Sequence, residues 1–177
     1  ITVIGYYALN ANTTRADNTA VGKNALDVNT VGSQSVAVGV DALGAQTTSH
    51  YNTAIGHSAL MAQTTGNSNT AVGYSALKAN TTGTVNTGVG QNALLANTTA
   101  NNNTAVGYGA LATTSTGAQN TAVGVSALST ATVANNTAVG YQAGESVTTG
   151  SNNLFLGNQA GISGSPGGAI TTGSNEV

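Results

Sequence analysis

Two histidines, His50 and His57, and five carboxylates, Asp17, Asp27, Asp41, Glu145 and Glu176, are the side chains of this 177-residue chain that could ligate a metal or relay a proton near neutral pH. A metal centre needs three or four such groups converging, and acid–base catalysis on a glycoside or ester needs a facing pair. The histidines stand seven residues apart and the acids are scattered singly. Cysteine is absent, which removes thiolate ligands, thiol nucleophiles and disulfides together. Catalytic, cofactor-binding and metal-binding residues are therefore all expected to be none, and the chain is read as a non-enzyme. The three cations, Arg15, Lys23 and Lys78, form no cluster of the kind that neutralises phosphate, so neither nucleic acid nor an anionic membrane surface is an expected partner. No apolar run approaches the roughly 18 residues of a membrane-inserted helix.

What could position side chains in this chain is its periodicity. Charged residues make up 5% of it and aromatics 4%, a composition of small polar residues that on its own reads as disorder. A strict repeat overrides that reading. Asn-Thr-Ala-Val-Gly at 69–73 recurs at 18–22, 103–107, 120–124 and 136–140, with close variants at 1–5, 35–39, 52–56, 86–90 and 153–157. Successive copies start 17 residues apart, except for one step of 16 from Asn120 to Asn136. Numbering each copy from its first tag residue, position four is always branched aliphatic: Ile4, Val21, Val38, Ile55, Val72, Val89, Val106, Val123, Val139 and Leu156. Position five is Gly, position eight is Ala, and position nine is Leu in eight copies and then Gly144 and Gly161. Position six varies freely, as does position ten.

Fixed columns beside variable ones are the pattern of stacked coils. Thr-Ala-Val-Gly alternates with the period of a strand and is bracketed by Asn and Gly, which punctuate turns. The expected fold is all-β, a parallel β-solenoid of about ten 17-residue coils over residues 1–161, with neighbouring coils about 4.8 Å apart. Residues 162–177 read as a Gly/Pro-rich interruption followed by the start of a further coil or domain. The chain opens in mid-repeat and is expected to be a piece of something longer. The aliphatic position-four column is expected to form the core. One Val, one Leu and a few Ala per coil bury little apolar surface against the entropy of 17 residues, which points to self-association. The flat face of small residues, Ala71, Gly73, Ala105, Gly107, Ala122 and Gly124, is the expected interchain contact, since Gly in a strand often marks close backbone approach.

Other columns carry weaker signals. Tyrosines at position six (Tyr6, Tyr74, Tyr108, Tyr141) suggest a glycan-binding stripe, but Lys23, Val40, His57, Gln91 and Val125 interrupt it, and a side-chain ladder is the plainer reading. Sequons at Asn12, Asn80, Asn97, Asn102 and Asn135 follow from the repeat consensus. The position-one Asn column is expected to cap turns and bond its own backbone. Paired Thr13 and Thr14 raise ice binding, yet adjacent strand residues face opposite ways and do not make the alternating hydroxyl plane that ice matching needs.

Gln34-Ser35-Val36-Ala37-Val38-Gly39 is similar to the Asn-Ser-Val-Ala-Ile-Gly head motif of trimeric autotransporter adhesins. The fuller pattern at 69–83, Asn-Thr-Ala-Val-Gly-Tyr-x-Ala-Leu-x-x-Asn-Thr-Thr-Gly, resembles shaft repeats of phage tail fibres. The resemblance covers all but the last dozen or so residues. It implies a left-handed β-roll assembled as a homotrimer, and a role as an extracellular structural fibre, either a viral tail-fibre shaft or head or a bacterial cell-surface adhesin. The implied partners are two further copies of the chain and a host surface glycan or protein. The chain departs from the adhesin pattern in carrying mostly Thr where those heads have Val at the second position.

Overall fold

The computed structural model describes residues 1–14 and 17–162. Ten three-residue strands follow one another: β1 (Thr2–Ile4), β2 (Thr19–Val21), β3 (Val36–Val38), β4 (Thr53–Ile55), β5 (Thr70–Val72), β6 (Thr87–Val89), β7 (Thr104–Val106), β8 (Thr121–Val123), β9 (Thr137–Val139) and β10 (Leu154–Leu156). They form one parallel sheet in sequence order, and the described residues contain no helix. Each strand pairs with its equivalent one repeat away: Val72 lies between Ile55 and Val89, and Thr70 between Thr53 and Thr87. The chain is a β-solenoid of about nine turns. The expected change of structure after residue 161 falls almost entirely outside the described residues, as do Arg15 and Glu176.

The strand alternation is as expected, but its inside and outside are exchanged. Ala20, Ala37, Ala54, Ala71, Ala105, Ala122 and Ala138, at position three, are fully buried, together with the position-eight Ala and position-nine Leu columns. The aliphatic column read as the core lies on the outer face. Ile4, Ile55, Val106, Val123, Val139 and Leu156 are exposed, and Val21, Val38, Val72 and Val89 are half-buried. Side chains two apart share a face, so placing Ala and Asn inside forces Thr and Val out. The interior of so narrow a coil is already filled by Leu26, Leu43, Leu60, Leu77, Leu94, Leu111 and Leu128, opposite the strands, and leaves a methyl's width at position three.

Those leucines enter the core from left-handed backbone, with φ near 50° in every copy. This conformation costs an L-residue roughly 1–2 kcal/mol, and here burial of the side chain and stacking of the next coil offset it. The leucine N–H donates to the position-eight carbonyl of the following coil, as from Leu77 to Ala93 at 2.9 Å. In the last two copies the column becomes Gly144 and Gly161, and Phe155 replaces the usual position-three Ala. The Phe155 ring occupies the vacated volume: a Cβ on Gly144 would stand 2.7 Å from its Cδ2 and 2.8 Å from Leu128 Cδ2.

A second, polar interior runs beside the apolar one. Asn18, Asn52, Asn69, Asn86, Asn103, Asn120, Asn136 and Asn153, at position one, are buried. Each amide of the regular coils closes its own turn by donating to the position-fifteen carbonyl, as Asn69 does to Gly83 at 2.8 Å and Asn103 to Gly117 at 2.8 Å. Its Oδ1 accepts the backbone N–H of the next coil's Asn, as from Asn86 to Asn69 at 2.9 Å. The column thus bonds its own backbone as expected, but from within, and it also couples coils. At position twelve a shorter amide column, Asn29, Gln46, Gln63, Asn80 and Asn97, runs alongside and ends where Thr114, Ala131 and Val147 succeed it. Asn97 Nδ2 donates to Asn80 Oδ1 at 2.7 Å, while Asn97 Oδ1, facing the Thr114 coil, is buried without a partner.

Candidate functional site

The residues singled out for chemistry are held apart. His50 Nδ1 accepts the Ser33 N–H at 3.0 Å, and the His50 N–H donates to Asn67 Oδ1 at 2.7 Å, one rung of a ladder along position sixteen. His57 bonds Ser58 Oγ through Nδ1 at 2.9 Å, and its ring stacks on Tyr74 at 5.5 Å between centroids. No group of three or more His, Asp or Glu side chains converges among the described residues. Asp27 and Asp41 border an open groove of about 470 Å³ where Gly44 replaces a longer position-ten side chain. Asp41 there accepts a hydrogen bond from Asn24 Nδ2 at 2.8 Å.

The alanines of the expected interchain face are not available to another chain, and its glycines are half-buried. Ala71, Ala105 and Ala122 are fully buried inside their own solenoid. Gly73, Gly107 and Gly124 form the corner after the strand, with φ of 132°, 134° and 139°. A Cβ on Gly107 would stand 2.5 Å from the Gly124 carbonyl oxygen, and one on Gly73 2.7 Å from that of Gly90. The close backbone approach that these glycines permit is therefore made by the next coil of the same chain.

The surface that does stand open is the outer face of the sheet. It carries two columns, Thr at position two and Val or Ile at position four, about 6.6 Å apart along each strand and repeating about every 4.8 Å. Val106 is 37% exposed and Ile55 41%. The hydroxyls of Thr53, Thr70, Thr87, Thr104 and Thr121 take part in no hydrogen bond among the described residues. This face has no charge: Lys23, Asp27, Asp41, Lys78 and Glu145 occupy positions six, seven and ten, and Asp17 position seventeen. The Thr13 column is different, since its hydroxyls are spent on the carbonyl of the next coil, from Thr13 to Thr30 at 3.1 Å and from Thr81 to Thr98 at 3.1 Å.

Beyond the Gly corner stands the position-six column. Tyr74, Tyr108 and Tyr141 are about half exposed. Tyr6 packs on Tyr7 with centroids 4.1 Å apart, and the hydrogen bond with Tyr7 raises its hydroxyl above the usual tyrosine pKa. Of the five sequons, Asn80 and Asn97 are buried and Asn12 half-buried, while Asn102 and Asn135 are exposed. The inward turn of Asn80 and Asn97 was legible only as a repeated column, since nothing in the triplet itself separates a ladder amide from a surface one. No family model, curated protein or solved structure matches the chain.

Proposed function

We propose that this chain is a structural segment of an extracellular fibre, a phage tail-fibre shaft or head, that holds a receptor-binding tip away from its base. In this reading three copies associate side by side, as the left-handed β-roll heads of trimeric autotransporter adhesins do, through the Thr/Val sheet face and not through the alanines and glycines. The observation that carries it is that face: a continuous aliphatic column flanked by small hydroxyls, uncharged along the rod, while the charges of the described residues lie elsewhere. An exposed apolar strip of this length marks an interaction surface in a soluble protein. The bacterial adhesin is the same architecture in another setting, and the gene's full length and neighbours separate the two.

Sedimentation equilibrium tests the proposal. The parent is expected as a trimer, and Val106→Lys, which places an ammonium in the middle of the apolar column, is expected to shift it toward monomer. Thr99→Lys, at the exposed position fourteen, should leave it trimeric. A monomeric parent sinks the reading. A monomer that also lowers the freezing point without lowering the melting point would instead select an ice-binding solenoid. The unpartnered position-two hydroxyls alternating with Val favour that second reading over the Thr13/Thr14 pair considered from sequence.

A further inference from the structure

The position-six column has a second period. Tyr6, Tyr74, Tyr108 and Tyr141 all fall on odd-numbered coils, with Val40 at the remaining odd place. The even coils carry Lys23, His57, Gln91, Val125 and Asn158, four of which can hydrogen-bond. Successive tyrosines from Tyr74 to Tyr141 therefore stand two coils apart, about 9.6 Å along the rod. The 16-residue coil does not disturb this spacing, because Val123 still pairs with Val139 and the missing residue is taken up elsewhere in the turn. His57 covers one face of Tyr74. The side chains of Tyr108 and Tyr141 make no ring contact and no hydrogen bond among the described residues. Between Tyr74 and Tyr141 the column carries no charge.

We infer that this column binds a neutral, extended, β-linked polysaccharide laid along the solenoid, with a tyrosine for every second sugar. A β-linked hexopyranose with equatorial hydroxyls presents a flat C–H face to an aromatic ring and a hydroxyl rim to polar neighbours, and aromatic rings with a few polar groups are the usual lining of ligand sites. In an extended β-1,4 ribbon alternate sugars turn over, so chemically equivalent faces recur every two residues. A stripe in which rings recur every two coils from Tyr74 to Tyr141, with Gln91 and Val125 between them, matches that periodicity, whereas a coiled α-linked chain presents no such straight repeat. Mixed charges nearby, Lys78 and Glu145, give no net field to draw an acidic polymer. The inference deepens the fibre reading, since it gives the shaft a lateral ligand, and it rests on that reading for its biological setting only.

Affinity electrophoresis through gels containing hydroxyethyl cellulose, β-mannan or, as control, soluble starch tests it with the chain as it stands. Retardation by at least one of the β-linked polymers and not by starch is expected. Tyr108→Ala and Tyr141→Ala should each weaken it about fivefold to tenfold, and Tyr108→Phe should retain most of it. All three variants should melt and sediment like the parent, because the side chains touch nothing in the core. Equal retardation of parent and both alanine variants, equal retardation by starch, or none by either β-linked polymer overturns the inference. A trimer that binds no glycan leaves the fibre proposal standing, and a monomer that binds one removes the fibre proposal and keeps the stripe.

Discussion

Asn86 shows how much a single side chain does here. Its amide donates to Ala100 O at 2.8 Å and to Asn69 Oδ1 at 3.2 Å, and its own Oδ1 accepts the Asn103 N–H at 3.0 Å. Asn86→Ala leaves the Asn103 N–H buried and unpaired and should cost about 2–4 kcal/mol, read as a drop in thermal midpoint. Asn86→Asp is the sharper probe. The new carboxyl can still accept from Asn103, but its other oxygen faces two acceptors, so the charged form is disfavoured and the folded pKa must rise above the unfolded value. A raised pKa means that the variant's stability is fully present below about pH 4, the range of an unfolded Asp, and is lost as pH rises. The deficit against the parent should therefore be small at pH 4 and large at pH 8, and a deficit that does not grow with pH would show that the amide column is not packed as described. Val85 offers the opposite test. It is a β-branched residue at φ 57°, where equivalent coils use Asn102, Asn135 and Asn152. Val85→Asn should stabilise by about 1 kcal/mol, visible as a raised midpoint.

At the scale of the coil, strands, register and the existence of inside and outside columns follow from the repeat alone, because a fixed 17-residue spacing and two-residue alternation leave little else to form. The direction of the columns does not. Choosing the largest aliphatic as the core is sound for a broad sheet, but a coil closed by Leu from the opposite wall has room for Ala71 and not for Val72. The sequence clue was Phe155, which enters the Ala column only where the Leu column has become Gly144 and Gly161. The same geometry changes what Ala105→Lys does: it disrupts the chain's own core instead of a contact between chains, so coils six to eight should lose protection in hydrogen exchange. Phe155→Ala should cost about 3–5 kcal/mol, and its effect should be confined to the last coils, since repeat stability is a nearest-neighbour property. The exposed face was legible only as a list of Thr and Val positions. That its hydroxyls lack partners while those of the Thr13 column are spent on the next coil depends on backbone directions that periodicity does not encode.

For the described residues as a whole, about nine turns make a rod about 43 Å long, in which each inner coil is held by the one before and the one after. The unit of tolerance should then be the whole coil. Removing residues 86–102 brings Val85 onto Asn103, keeps every column in phase and should give a rod one coil shorter with a modestly lower midpoint. A one-residue deletion should be tolerated at one part of the turn. In the short coil, Asn120 Nδ2 donates to Val133 O at 2.8 Å as its neighbours do to position fifteen, and Thr132 Oγ1 donates to Thr148 O at 2.9 Å as position thirteen does elsewhere. The residue it lacks is thus position fourteen, whose side chain points outward and whose N–H only shares a carbonyl that position thirteen already uses, as Thr82 at 3.3 Å shares Thr98 O with Thr81 at 2.9 Å. Deleting Thr82 should therefore resemble the natural 16-residue coil and leave circular dichroism and cooperative melting near those of the parent. Deleting Ala79, three residues earlier, moves Lys78 toward the place of a small turn residue and pulls Asn80 out of its amide column, so the loss should be several kcal/mol. Equal melting of the two single deletions would mean that the coils are not in the phase described.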